Sequence, residues 1–345
     1  MIFQRPTNIL LVITAQCTIL ILLWQAQIIA PDFFPLYLGG QLLLAGESPY
    51  GAEATAQLMQ LWNAPEPFPR AGIAYPLPVV LLVVPLTLLP FSIAAFVWCS
   101  VGAISFAGAV SRLQQHGILL PLLFWPFFQN IIIGQATLIW ASLCVVLLLA
   151  MQQRRVWLVG ICVALLPLKP QTSLLFALAG CWWAWREDRR AFLWAIGVGG
   201  MLAGATFFIQ PGWLTAWLDQ LYVYRTAVRP IYLLPWICVL LPACWQYPWW
   251  AKLAIIQVFI FPFPHHGYGI DPYSVLLLLL VWTQIPGRTA LLGVGVSWIW
   301  PFLVLSGYGE FATSLTLLGP LVLIAAWHTW GASWRVRFWK VEEHT

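Results

Sequence analysis

Asp32, in Pro31-Asp-Phe-Phe-Pro35, is a carboxylate among apolar neighbours at the end of a long hydrophobic run. Desolvation there would raise its pKa toward that of a useful base, while nearby cations would lower it. The plainer role is as N-cap of a helix from Phe33 to about Leu44, and the two roles are compatible. Lys169, in Leu168-Lys169-Pro170, either snorkels to a membrane surface or offers its ammonium to a phosphate. Arg225 and Arg229 are four apart, on one face if that stretch is helical, suited to phosphate contact or to a solvated loop face. His265 and His266 precede Gly-Tyr268-Gly-Ile-Asp271 and lack the HExxH-type spacing of a metal site. Hydrogen bonding to a phosphate or a sugar hydroxyl suits them better, and Asp271 before Pro272 has the alternative of capping the next helix. Gln135 is the remaining polar group of this set. No phosphate-binding loop, GxGxxG or GxSxG occurs. The seven cysteines show no CxxC spacing and nearly all sit in apolar runs, as buried small hydrophobes do. No metal, cofactor or nucleic-acid partner is expected.

These groups need elements to hold them, and the composition says which. The 345 residues are 61% hydrophobic and only 8% charged, with mean hydropathy +0.85, against about 25% charged in soluble chains. Apolar runs of about 15 to 23 residues recur, each long enough or nearly so to cross a hydrocarbon core as a helix. They do not alternate, so helices and not a barrel are expected. The fold class is therefore an all-α polytopic membrane protein, with residues 1–345 forming a single integral membrane domain. About twelve spans are expected, near 8–30, 91–111, 118–133, 135–152, 156–168, 171–185, 191–209, 231–247, 250–264, 272–285, 289–306 and 312–330. The first is read as a retained helix with its N-terminus inside.

Orientation follows from charge. Residues 75–90 carry four prolines, which argues against one uninterrupted helix. If this stretch does not cross, all but four of the 16 basic residues face inward, the exceptions being Arg70, Lys169, Arg225 and Arg229. A crossing helix would throw most basic clusters outward, so the non-crossing arrangement is preferred. It leaves two substantial outer loops, 31–90 with interfacial segments and 210–230. Seven of the 11 acids then lie on the outer side, together with Lys169, Arg225, Arg229, His265, His266 and Gln135. Polar residues that persist at membrane depth mark function by default.

The chain resembles the membrane glycosyltransferases of the GT-C class, and within it glycosyltransferase family 87, which includes polyprenyl-phosphate-mannose-dependent mannosyltransferases. The likeness rests on Asp32-x4-Tyr37-x8-Gly46-x3-Tyr50, on Tyr75-Pro76-x-Pro78 with Pro85 and Pro90, and on Gly134-Gln135 opening a span. Lys169-Pro170 after a short helix and His266-x-Tyr268-x2-Asp271 complete it. It runs from the first span to about residue 285. One departure is Thr137, where the family often has Asn.

The resemblance implies that Asp32 is the catalytic base and that the proline-rich segment lies along the outer interface. Lys169, Arg225, Arg229, His265 and His266 would hold a polyprenyl phosphate, with Gln135, Tyr37, Tyr50, Tyr75, Tyr268 and Asp271 as further substrate-binding positions. A phosphate is a good leaving group, so one carboxylate and surrounding cations can suffice where a glycosidase needs two carboxyls. The expected activity is inverting transfer of a hexose, mannose by the resemblance, to a lipid or glycan hydroxyl on the outer face of the inner (plasma) membrane. A transporter or flippase of a lipid-linked sugar is the alternative; it should show internal repeats and midplane polar residues, and no convincing repeat is present.

Overall fold

The computed structural model describes residues 14, 30–62, 72–113, 118–223, 238, 244–245, 247–260, 274–285 and 287–299. Among the described residues the regular structure is helical, with no strand. Packing divides the chain into two compact units. One comprises Thr18–Phe106 and Asn130–Ala227, the other Met1–Cys17, Ala107–Gln129 and Val228–Thr345.

Prolines set most boundaries in the first unit. Helix α1 (Phe34–Leu44) has Pro35 in its first turn, where a missing N–H costs nothing. Its N-cap position is held by Phe33, which makes no side-chain capping bond, so Asp32 stands one residue before the cap position. After α2 (Ala52–Trp62), α3 (Leu77–Val83) is entered through Pro76 and Pro78 and passes at Pro85 into a 3-10 turn, Val84–Leu88. Seven α-helical residues rise about 10 Å, a third of a hydrocarbon core. The proline-rich stretch is thus broken, and α1 packs along both of its pieces. Helix α4 (Phe91–Ser111) begins just after Pro90, whose carbonyl accepts the N–H groups of Ile93 and Ala94.

The span expected over 118–133 is two helices, α5 (Leu119–Leu123) and α6 (Trp125–Ile133), with Phe124 extended between them. Pro126 explains the break: it has no N–H for the Leu122 carbonyl and its ring would strike that turn.

Four consecutive helices complete the scaffold of the first unit: α7 (Thr137–Gln152), α8 (Val156–Leu165, continued by a 3-10 turn Leu166–Leu168), α9 (Pro170–Arg186) and α10 (Arg190–Ile209). Short turns make neighbours antiparallel, and α7, α8 and α9 pack on one another while α8 also lies against α10. That last approach depends on Gly160. A Cβ there would collide with the Ala191 carbonyl oxygen and stand 2.5 Å from Trp194 Cβ. One end of this bundle gathers the basic turns, where Arg154 pairs with Glu187 at 3.1 Å and Arg190 with Asp188 at 2.7 Å. The opposite end carries Gln135, Lys169 and Gln210, and from it α11 (Trp213–Val223) departs.

Two described helices are long and apolar enough to cross a membrane, Phe91–Ser111 and Arg190–Ile209. Only 6% of the most apolar window of the second is buried, and Leu193, Ile196, Met201 and Phe208 are each at least 67% exposed. A face of that kind is expensive in water. The other expected spans correspond to shorter described helices or, for 8–30, 231–247 and 312–330, lie wholly or mostly outside the described residues.

In the second unit, α12 (Trp249–Ile260) packs on α13 (Leu278–Trp282) and on the 3-10 turn Ser274–Leu277 before it. Helix α14 (Gly287–Ser297) returns against α5. The Trp125 N–H donates to Ser297 Oγ at 3.0 Å and Trp298 Nε1 to the Leu123 carbonyl at 2.7 Å.

Candidate functional site

The site grows from the way α6 ends. A helix leaves its last carbonyls without partners, and Gly134 resolves part of that need by taking φ +69°. Its N–H donates to Ile131 and that of Gln135 to Asn130, the bonding of a Schellman cap. The next two carbonyls point outward and are met by another piece of chain. Ile132 accepts from the Ala30 N–H at 2.7 Å and Ile133 from the Asp32 N–H at 2.9 Å. A cap on one helix therefore fixes the backbone of Asp32 beside Gln135, across 103 residues of sequence. Only glycine fits the corner: a Cβ on Gly134 would lie 2.7 Å from Ala30 Cβ and 3.0 Å from Phe33 Cβ. Ala30 itself holds φ +59°, a left-handed conformation that non-glycine residues adopt rarely and at a cost. Trp98 secures the corner from α4, donating from Nε1 to the Gly134 carbonyl at 2.9 Å while Phe33 stacks on its indole.

Gln135 is the link. Its Nε2 donates to Asp32 Oδ2 at 2.8 Å. Its Oε1 accepts from Lys169 Nζ at 3.0 Å and from the Tyr75 hydroxyl at 2.7 Å. Donor chemistry fixes this orientation: an ammonium can only give protons, so the amide must turn its oxygen to Lys169 and its NH2 to Asp32. Asp32 in turn must accept, as an ionised carboxylate does. Two donors on the oxygen polarise the amide and strengthen the bond its nitrogen gives.

Lys169 does not snorkel. It is 4% exposed, and inside the protein its ammonium donates to Gln135 Oε1 and lies 5.2 Å from the centroid of the Tyr75 ring. Its position follows from the α8–α9 turn. Pro170 starts α9 at a place where its lack of an N–H is harmless, and the Thr172 N–H and Ser173 hydroxyl both reach the Lys169 carbonyl. On the other side of the turn, Trp140 Nε1 donates to the Leu165 carbonyl at 3.0 Å.

Tyr37 and Tyr50 use their hydroxyls differently. That of Tyr37 donates to the Leu89 carbonyl and that of Tyr50 to the Tyr75 carbonyl, each at 2.8 Å. Burial pushes the Tyr50 hydroxyl far above its ordinary pKa, so it remains a donor across the physiological range. Both brace backbone that leads to the site. Arg225, Arg229, His265, His266, Tyr268 and Asp271 lie outside the described residues. Among the described residues no three His, Cys, Asp or Glu side chains gather as metal ligands would.

Trp98, Ala30, Trp217 and Gln220 were not singled out by sequence. Trp98 sits within an apolar helix where an indole reads as packing, and the positive φ of Ala30 leaves no mark on residue type. The structure thus joins Asp32, Tyr75, Gln135 and Lys169 within one unit, with Tyr37 and Tyr50 behind them. No curated protein and no solved structure matches the chain. The family model of glycosyltransferase family 87 matches residues 74–341, taking in Tyr75, Gln135 and Lys169 and beginning after Asp32.

Proposed function

The chain belongs to glycosyltransferase family 87, and on that footing we propose that it moves a hexose from a polyprenyl-phosphate donor to an acceptor hydroxyl, with inversion and with Asp32 as the base. Asp32 takes the proton from the acceptor hydroxyl. The oxygen so freed attacks the anomeric carbon from the face opposite the phosphate. The bond from that carbon to the phosphate oxygen breaks, and polyprenyl phosphate departs with the electron pair. No acid is needed for so stable an anion. Lys169 supplies positive charge where negative charge develops on the leaving group, and Gln135 keeps carboxylate and ammonium apart yet adjacent.

One observation carries this reading: a buried lysine and a half-buried aspartate held by the two ends of a single amide. Asp32 lies before the residues matched by the family model, so its hydrogen bond to Gln135, inside the match, is what ties it to the family's part of the chain. The protein is read as a multi-pass component of the plasma membrane with this site on the outer face, in an arrangement of about twelve spans. Two membrane-length helices, one with only 6% of its most apolar window buried, and basic turns at the end opposite the site support it. Mannose follows from the family resemblance; the acceptor is a lipid or glycan hydroxyl.

The test is direct. Purified protein is incubated with radiolabelled polyprenyl-phosphate hexoses and a panel of membrane lipids and glycans, and the product anomer is assigned by NMR. Label is expected to move to an acceptor with inverted configuration. Retention of configuration, or no transfer from any such donor, would overturn the reading.

A further inference from the structure

Tyr75 approaches Gln135 from a stretch of chain with no regular structure of its own, residues 72–76. Irregular backbone holds an aromatic ring in one pose only if something else pins it, and here three successive residues are pinned from outside. The Ile73 N–H donates to Gln220 Oε1 at 3.0 Å. The Ala74 carbonyl accepts from Trp217 Nε1 at 2.9 Å. The Tyr75 carbonyl accepts from the Tyr50 hydroxyl at 2.8 Å. Two of these three bonds come from α11, three residues apart on one face of the helix. Gly72 adds a close approach, since a Cβ there would be 3.1 Å from Gln220 Oε1. At the entrance to α11, Gln210 Nε2 donates to Ser48 Oγ, which itself accepts the Tyr50 N–H at 3.2 Å. Trp213 is buried beside Trp217 and Phe207 and anchors the helix.

We infer that α11 is a clamp that sets the pose of Tyr75, making Trp217 and Gln220 positioning residues for sugar transfer. They spend their hydrogen bonds on the backbone of residues 73 and 74. Their effect passes through Tyr75 to the Gln135 oxygen, and from there to the Asp32 carboxylate. A stretch of the second outer loop thereby governs the geometry of a base held in the first. The inference rests on the transferase reading above.

Two readouts test it in full-length protein in detergent. Hydrogen–deuterium exchange at the Ile73 amide should be slow in the wild type and in Gln220→Glu, which keeps an acceptor oxygen, and fast in Gln220→Leu. In the transfer assay, Gln220→Leu and Trp217→Phe should each lower kcat about threefold to tenfold with little change in KM for the donor, as expected for coupled neighbours. Gln220→Glu should restore the rate. Tyr75→Phe should lower kcat similarly, and in that background Gln220→Leu should add almost nothing, because both act through one hydroxyl. Losses that simply multiply would mean α11 acts by general stability and would overturn the inference. An active wild type with an unchanged Gln220→Leu overturns this inference alone; a wild type that transfers no sugar overturns the transferase reading and takes the inference with it.

Discussion

Gln135 decides the chemistry of its neighbours because one amide serves both an anion and a cation. Replacing it by glutamate keeps its shape and its bond to Lys169 but sets a second carboxylate against Asp32. A like charge at that distance raises the pKa of its neighbour, so the base form of Asp32 is populated only at higher pH. If Asp32 is the base, as proposed, the acid limb of the pH–rate profile for Gln135→Glu is expected to move up by about one unit or more; an unmoved limb would count against that role or against contact of the two side chains in the working enzyme. Asp32, Lys169 and Gln135 were visible in the sequence because each is polar where polarity is costly. What each would do was not visible. Lys169 stays open between a snorkelling residue and a phosphate contact until Gln135 and the Tyr75 ring are placed beside it, and Asp32 stays open between helix cap and base, with α1 starting at Phe34 and Phe33 at its N-cap position.

Helix endings, more than helix lengths, build this site. The Gly134 cap presents the Ile132 and Ile133 carbonyls to Ala30 and Asp32, and the Pro170 start of α9 leaves Lys169 at a buried turn. Gly134→Ala forces an L side chain into a left-handed backbone and against Ala30, at a cost of about 1–3 kcal/mol. A lower Tm is expected, with a larger fall in transfer rate than the stability loss explains, because Asp32 shifts with the corner. Unchanged Tm and rate would show that the corner is not tight. Glycine and proline punctuation made these boundaries legible: Pro90 ahead of α4, Pro170 at the start of α9, the broken 75–90 segment. The break at Phe124 was missed, since residues 118–133 read as one apolar run and hydropathy does not register a lost hydrogen bond at Pro126. The pairing of α6 with residues 30–32 was equally hidden, because backbone bonds between distant segments leave no pattern in side-chain type.

Membrane orientation is a property of the whole chain, and the proposed one rests on the contrast between the two ends of the bundle. Arg154, Arg186, Arg189 and Arg190 share one end, with Arg189 over the Trp185 ring at 4.4 Å and Arg186 over Trp182 at 5.5 Å, as basic and aromatic residues gather at a membrane surface. The site occupies the other. In a cysteine-free background, Glu47→Cys in the first outer loop should react with an impermeant thiol reagent in intact cells, while Arg154→Cys should react only after permeabilisation. The reverse pattern would place the site on the inner side. The most direct measurement compares wild type and Asp32→Asn, matched for yield and Tm, for label transferred from a radiolabelled polyprenyl-phosphate hexose. A loss of about 10²-fold or more is expected, as for removal of a general base. An asparagine variant that transfers sugar at the wild-type rate would contradict the assignment of Asp32 as the base.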